Sequence, residues 1–137
     1  MARDVLHNEV RTALEKDGWT ITHDPLDLSV GGVDLYTDLG AERFIGAIKG
    51  GEKIAAEIKI FGGQSLVTEF HKAMGQYDNY RLSLEELEPE RNIYLTIPKL
   101  VWEDFFQRPF IQKVISVKAV KLIIFDPYSQ TIIKWIK

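Results

Sequence analysis

Lys53-Ile54-Ala55-Ala56-Glu57-Ile58-Lys59-Ile60, followed by Phe61-Gly62-Gly63, is the stretch on which the reading of this chain turns. A strand presents alternate side chains to opposite faces. On a strand, Glu57 and Lys59 therefore share one face, and Ile54, Ala56 and Ile58 share the other. The run is otherwise very apolar, which argues for a central strand rather than an edge. Gly62-Gly63 then opens room beside the strand end, because glycine lets the backbone approach a neighbour closely.

Working outward, Lys49-Gly50-Gly51-Glu52 is a strong hairpin signal, which makes Arg43–Ile48 the antiparallel neighbour. Val33–Leu39 reads as a further strand of the same meander, joined to it around Gly40-Ala41. Residues 4–17 carry Val5, Leu6, Val10, Ala13 and Leu14 at helical spacing, with Gly18 as the stop. Trp19–Thr22 reads as extended, and Asp24-Pro25 as a turn. Beyond the glycines, a long helix runs from a cap near Ser65 to about Leu87 and ends at Pro89. Asn92–Ile97 is a short strand. Trp102–Phe106 and Phe110–Val117 read as one helix broken at Pro109 or as two short ones. Val120–Phe125 and Thr131–Ile136 form a terminal hairpin. The whole chain, residues 1–137, reads as a single α/β domain with a mixed sheet.

Composition bounds the chemistry. At 137 residues and 45% hydrophobic, the chain can bury a core unaided. It has no cysteine, hence no disulfide framework and no thiolate ligand or nucleophile. No stretch has signal-peptide character or the length of a membrane span, so a soluble cytoplasmic protein is expected. The net charge of −3 gives no whole-molecule attraction to nucleic acid. Acids gather at Glu85, Glu86, Glu88 and Glu90. Lys113, Lys118 and Lys121, with Lys99 and Arg108, read as solvated surface or a local basic face.

Glu57 and Lys59 on one face make a carboxylate–ammonium pair, which can hold a divalent ion and offset charge developing on a phosphate. Asp38 lies nineteen positions upstream of Glu57 on the expected neighbouring strand. Asp38 and Glu57 together can ligate Mg²⁺ or Mn²⁺, with backbone carbonyls and waters completing the shell. Asp34 competes with Asp38, since residues four apart on one strand share a face. Glu9 can reach the site from the first helix. Gln76 and Tyr80, four apart on the long helix, present an amide and a phenol on one face. His7, His23 and His71 have no metal-ligand spacing and read as surface or packing. The phenylalanines at 105, 106 and 110 read as a subunit contact or core, and a homodimer is a candidate.

Taken together, these residues resemble the PD-(D/E)XK nuclease superfamily. Asp38 matches its first acid and Glu57-Ile58-Lys59 its acid-any-lysine element. Glu9 matches the first-helix glutamate of resolvase-like branches, and Gln76 with Tyr80 a helix signature. Thr37 stands where a proline often precedes the first acid. The resemblance implies a restriction-endonuclease-like α-β-β-β-α-β core followed by a C-terminal hairpin, and DNA as substrate. More closely, Arg3-Asp4, His7-Asn8, residues 16–25, residues 38–42, Glu57-Ile58-Lys59 and Gly75-Gln76 through Tyr80 resemble the XisH family. Those cyanobacterial proteins are named as controlling factors for excision of the fdxN element during heterocyst differentiation. That resemblance implies an accessory role in DNA rearrangement beside a separate recombinase, with an XisI-like protein partner. Three functions are open to these residues: Mg²⁺-dependent hydrolysis of DNA, a catalytically silent nuclease fold that regulates by binding DNA or a protein partner, or a partner-binding scaffold.

Overall fold

The structure, a computed structural model, describes residues 2–35 and 43–137. Helix α1 (Ala2–Lys16) puts Val10, Ala13 and Leu14 on its buried stripe. It stops at Gly18, whose φ of 92° is a conformation that glycine adopts freely, and the Trp19 N–H closes back on the Leu14 carbonyl at 3.0 Å. Next come β1 (Thr20–His23), a short β2 (Ser29–Val30) and β3 (Val33–Asp34), then β4 (Arg43–Lys49) and β5 (Glu52–Ile58). The turn between β4 and β5 is the expected two-glycine hairpin: Gly50 and Gly51 have φ of 55° and 87°, and Lys49 stands opposite Glu52.

Helix α2 (Leu66–Leu87) crosses over to β6 (Arg91–Pro98), which lies parallel to β5. Its N-terminus is capped by Ser65, whose Oγ accepts from the Thr68 N–H at 3.3 Å. Helix α3 (Lys99–Glu103), a 3-10 turn at Phe105–Gln107 and helix α4 (Pro109–Val117) lead to β7 (Leu122–Asp126) and β8 (Thr131–Ile136). The six-stranded sheet runs β1-β4-β5-β6-β7-β8. Only the β5–β6 and β6–β7 pairs are parallel.

Strand alternation splits the core in two. On one face Val10, Leu14 and Trp19 pack over Ile45, Ala47, Ile54, Ala56 and Ile58. On the other, α2 lays Phe70, Ala73, Met74, Tyr77, Tyr80 and Leu84 over Ala55, Ile93, Leu95 and Ile97. Phe61, Phe70, Phe105 and Phe106 interlock there, with ring centroids 5.4–6.1 Å apart.

One sequence expectation is corrected. Val33–Asp34 does not join the main sheet. It pairs with Ser29–Val30 as a separate ribbon, the Leu35 N–H donates to the Leu28 carbonyl at 2.7 Å, and the third strand of the antiparallel meander is β1. Of the two readings of residues 102–117, two short helices is the one found: Pro109 begins α4, because the first helical position has no intrahelical use for an N–H. Of the three phenylalanines, Phe105 and Phe106 are core, whereas Phe110 is 65% exposed.

Gly46 shows how tightly β4 is packed. A Cβ there would lie 3.1 Å from both Arg91 Nη1 and His23 Nδ1. Arg91 has little freedom to withdraw, since it donates to the Ile54 carbonyl at 2.8 Å and to Glu88 at 3.1 Å. Gly46→Ala is therefore expected to destabilise the fold by about 1–3 kcal/mol, measured by urea denaturation. An unchanged midpoint would show that the arginine gives way freely.

Candidate active site

Glu57 lies on the α2-facing side of β5, the same side as Ala55, and its carboxylate contributes to raising the phenol of Tyr77. The larger cause of that rise is burial of the phenol itself. In register, Glu57 stands between Phe44 of β4 and Leu95 of β6. Its side chain is 1% exposed. Withdrawing a carboxylate from water costs several kcal/mol even after the protein relaxes, so this acid sits where an apolar residue would be the cheaper occupant.

Lys59 provides the compensating charge. Its Nζ is 3.9 Å from Glu57 Oε2, and its side chain is 11% exposed. Just past the end of β5, the Lys59 N–H still bonds the Thr96 carbonyl at 3.0 Å, which fixes the backbone from which the ammonium projects. The same Nζ donates to Oε1 of Gln76 on α2. A carboxylate, an ammonium and an amide are thus gathered at one end of β5. The following loop is tied down: Phe61, at φ 53°, enters the α2-side core, and the Gly63 N–H donates to Glu69 Oε2 at 2.8 Å. A Cβ on Gly63 would lie 2.6 Å from that same oxygen, so the glycine expected from the sequence to allow close approach does so toward Glu69.

Tyr80, one turn after Gln76, is buried in the α2-side core. Glu9 is half-buried on α1, whose apolar stripe packs against the opposite face of the sheet. Asp38 lies outside the described residues. Asp34 is on the β2–β3 ribbon, separate from the sheet that carries Glu57. Among the described residues, no group of three or more His, Asp or Glu stands together as a metal site. The described donor is a carboxylate oxygen, a hard ligand of the kind Mg²⁺ and Mn²⁺ select.

His7 is not bare surface. Its Nε2 is 2.8 Å from Asp24 Oδ2, and Arg11 donates to the same oxygen. His7 and Arg11 are four apart on α1, and that spacing is the signal that could have found the pair. Arg81 and Arg91 also escaped the sequence reading; both line a cavity at the far end of α2.

The geometry makes the ammonium and the carboxylate interdependent. Lys59→Met alone is expected to destabilise by about 3 kcal/mol, because it leaves Glu57 buried without that ammonium. In a double-mutant cycle with Glu57→Gln, the two changes should be non-additive by at least about 1 kcal/mol. Simple addition in urea denaturation would show that the two groups do not depend on each other.

Comparison with known proteins bears on the whole chain. No curated protein matches it. Among solved structures, an XisH family protein from Nostoc punctiforme PCC 73102 is 45% identical, with a TM-score of 0.91 over 98% of this chain and 100% of that one. A fdxN element excision controlling factor protein from Anabaena variabilis is 44% identical, with a TM-score of 0.91 over 98% of this chain and 99% of that one. The XisH protein family model matches residues 1–133, and the chain belongs to the XisH family.

Proposed function

We propose that this chain is a controlling factor of programmed DNA element excision that works as a metal-dependent phosphodiesterase on a PD-(D/E)XK nuclease-like core. One observation carries the catalytic part: a glutamate 1% exposed in a central strand, 3.9 Å from a lysine that is itself held by a glutamine. Strongly desolvated ionisable groups facing a specific charged partner cluster at functional sites. The succession α1, β1, β4, β5, α2, β6, with β4–β5 antiparallel and β5–β6 parallel, has the α-β-β-β-α-β order of that superfamily and supports the reading. The name of the Anabaena variabilis relative supports the excision role.

In the proposed reaction Asp38 and Glu57 would hold Mg²⁺ or Mn²⁺. When bound, such an ion supplies charge neutralisation at the phosphate and a more acidic water. The water oxygen gives up a proton to solvent and forms a bond to phosphorus, the bond to the leaving sugar oxygen breaks, and that oxygen takes a proton from solvent. Lys59 offsets the charge growing on the non-bridging oxygens. Gln76 fixes the direction of the ammonium. Tyr80, buried in the α2-side core one turn after Gln76, supports the site without ligating. DNA is the substrate, and an XisI-like protein or a second copy of the chain is the proposed partner.

A second reading, a non-cleaving regulator on the same fold, is favoured by the net charge of −3, which gives no general attraction to DNA. Exposed Val33 and Leu82, which line a cavity between the β2–β3 ribbon and α2, favour it as well.

The test is cleavage of branched, nicked and linear DNA with Mg²⁺ or Mn²⁺. Wild type is expected to cut at least one substrate and to lose all activity with EDTA. Lys59→Ala should slow the reaction by about a hundred- to a thousand-fold, and Glu57→Ala should abolish it. Cleavage that persists equally in both variants overturns the proposal. Binding of DNA or of the partner protein without any cleavage supports the second reading.

A further inference from the structure

At the opposite end of α2 from Lys59 lies a cavity of about 280 Å³. It sits among the last turns of α2, the start of β6 and the connection from α4 to β7. Arg91 stands opposite Lys53 in the β5–β6 register, and Leu95 opposite Glu57. Four residues of strand separate the two places, roughly 13 Å. The cavity is therefore not part of the Glu57 site.

Three cations line it, Arg81, Arg91 and Lys121, against one lining carboxylate, the exposed Glu85. Their existing partners leave donor capacity spare. Arg91 is a built feature: its side chain is 4% exposed, its two terminal nitrogens bond the Ile54 carbonyl and Glu88, and among the described residues its buried Nε has no hydrogen-bond partner. The buried Nε of Arg81 likewise has none, and the Arg81 contact to Asp78 is long, at 3.4 Å. Asp78 is shared with Lys118, 3.0 Å away. Lys121 Nζ is met by a neutral group, Asn92 Oδ1, at 3.1 Å. Tyr77 steadies one wall: its hydroxyl accepts from the Lys121 N–H at 3.0 Å and donates to the Ile93 carbonyl at 3.4 Å, and burial pushes its phenol above the ordinary value.

We infer that this cavity is a second binding site, one that takes a phosphate monoester. Guanidinium forks match tetrahedral oxyanions, and charge-assisted bonds to them are the strong ones. The volume falls just below the about 300–1,000 Å³ usual for small-molecule sites. That suits a single phosphorylated nucleoside or strand terminus, not a duplex. The group arrives either on a free nucleotide or on a phosphorylated DNA end, and the two sources differ in experiment.

Titration calorimetry on the full chain at fixed ionic strength tests this, using inorganic phosphate, deoxyadenosine 5′-monophosphate and unphosphorylated deoxyadenosine. Phosphate and the monophosphate are expected to bind saturably with one site per chain, and the nucleoside not at all. Arg81→Gln/Lys121→Gln removes two partly exposed cations and leaves Arg91 in place. It should weaken binding at least tenfold, about the loss of one charge-assisted hydrogen bond. Amide NMR shifts on the wild type supply a readout that needs no variant: on adding phosphate they should concentrate at 91–93 and 119–121. Competition by a 5′-phosphorylated oligonucleotide, and not by its 5′-hydroxyl form, assigns the ligand to DNA ends. Failure of both to compete assigns it to free nucleotides. Absence of saturable binding at millimolar phosphate and monophosphate, undiminished affinity in the double variant, or shifts centred on residues 57–76 would each overturn the inference.

Discussion

The carboxylate of Glu57, shut inside a sheet beside the ammonium of Lys59, is the constraint around which the neighbouring structure is arranged. A buried acid facing an ammonium is stable only if the ammonium is held where it is. Lys59 is held twice, through its backbone on β6 and through its Nζ on Gln76 of α2. Both anchors belong to the parallel crossover β5–α2–β6. That crossover must close in correct register before the pair can form, so the site depends on the sheet at long range in sequence. Ala55 and Ala56 contribute by what they lack: small side chains on both faces of β5 let the two core layers approach the strand closely.

Helix α2 divides its work by face. Phe70, Ala73, Tyr77 and Leu84 make core. Gln76 looks to the end of β5, and Arg81 to the start of β6 and the α4–β7 connection. The helix is capped at Ser65 and released at Glu88-Pro89, so its register over the sheet is fixed at both ends. A slip by one residue, about 100° of rotation, would carry Gln76 away from Lys59 and Arg81 away from Lys121 together. The two polar places thus share one positional requirement although they lie at opposite ends of the helix.

Local chemistry was legible in the sequence. Gly50-Gly51, Gly18, Ser65 and Pro89 each carry a backbone preference that acts within a few residues, and the hairpin and the ends of α1 and α2 fall where those residues put them. The shared face of Glu57 and Lys59 followed from strand alternation alone, whereas the family resemblance placed Gln76 among the site residues without pairing it with Lys59. Partner choice between distant segments was not legible. Val33–Asp34 and Thr20–His23 are both short and extended, and only tertiary packing decides that the second joins β4. Arg81, Arg91 and Lys121 are far apart in sequence and share no periodicity, so no pattern announces that they line one cavity. His7 and Arg11 had helical spacing, but their common acceptor, Asp24, sits beyond the end of the helix.

The acidic balance of the chain also fits these two places. An overall charge of −3 repels a polyanion at long range, yet such repulsion between exposed charges fades beyond a Debye length of about 8 Å in physiological salt. Lys59 and Arg91 are nearly withdrawn from solvent, where screening is weak, and each faces carboxylates at close quarters. Cations so placed do not gather DNA from a distance; in the proposed function they would act on a phosphate already delivered. In that reading, delivery would come from shape or from a bound partner. Burial of the charged groups and a weak external field would then be two aspects of one design.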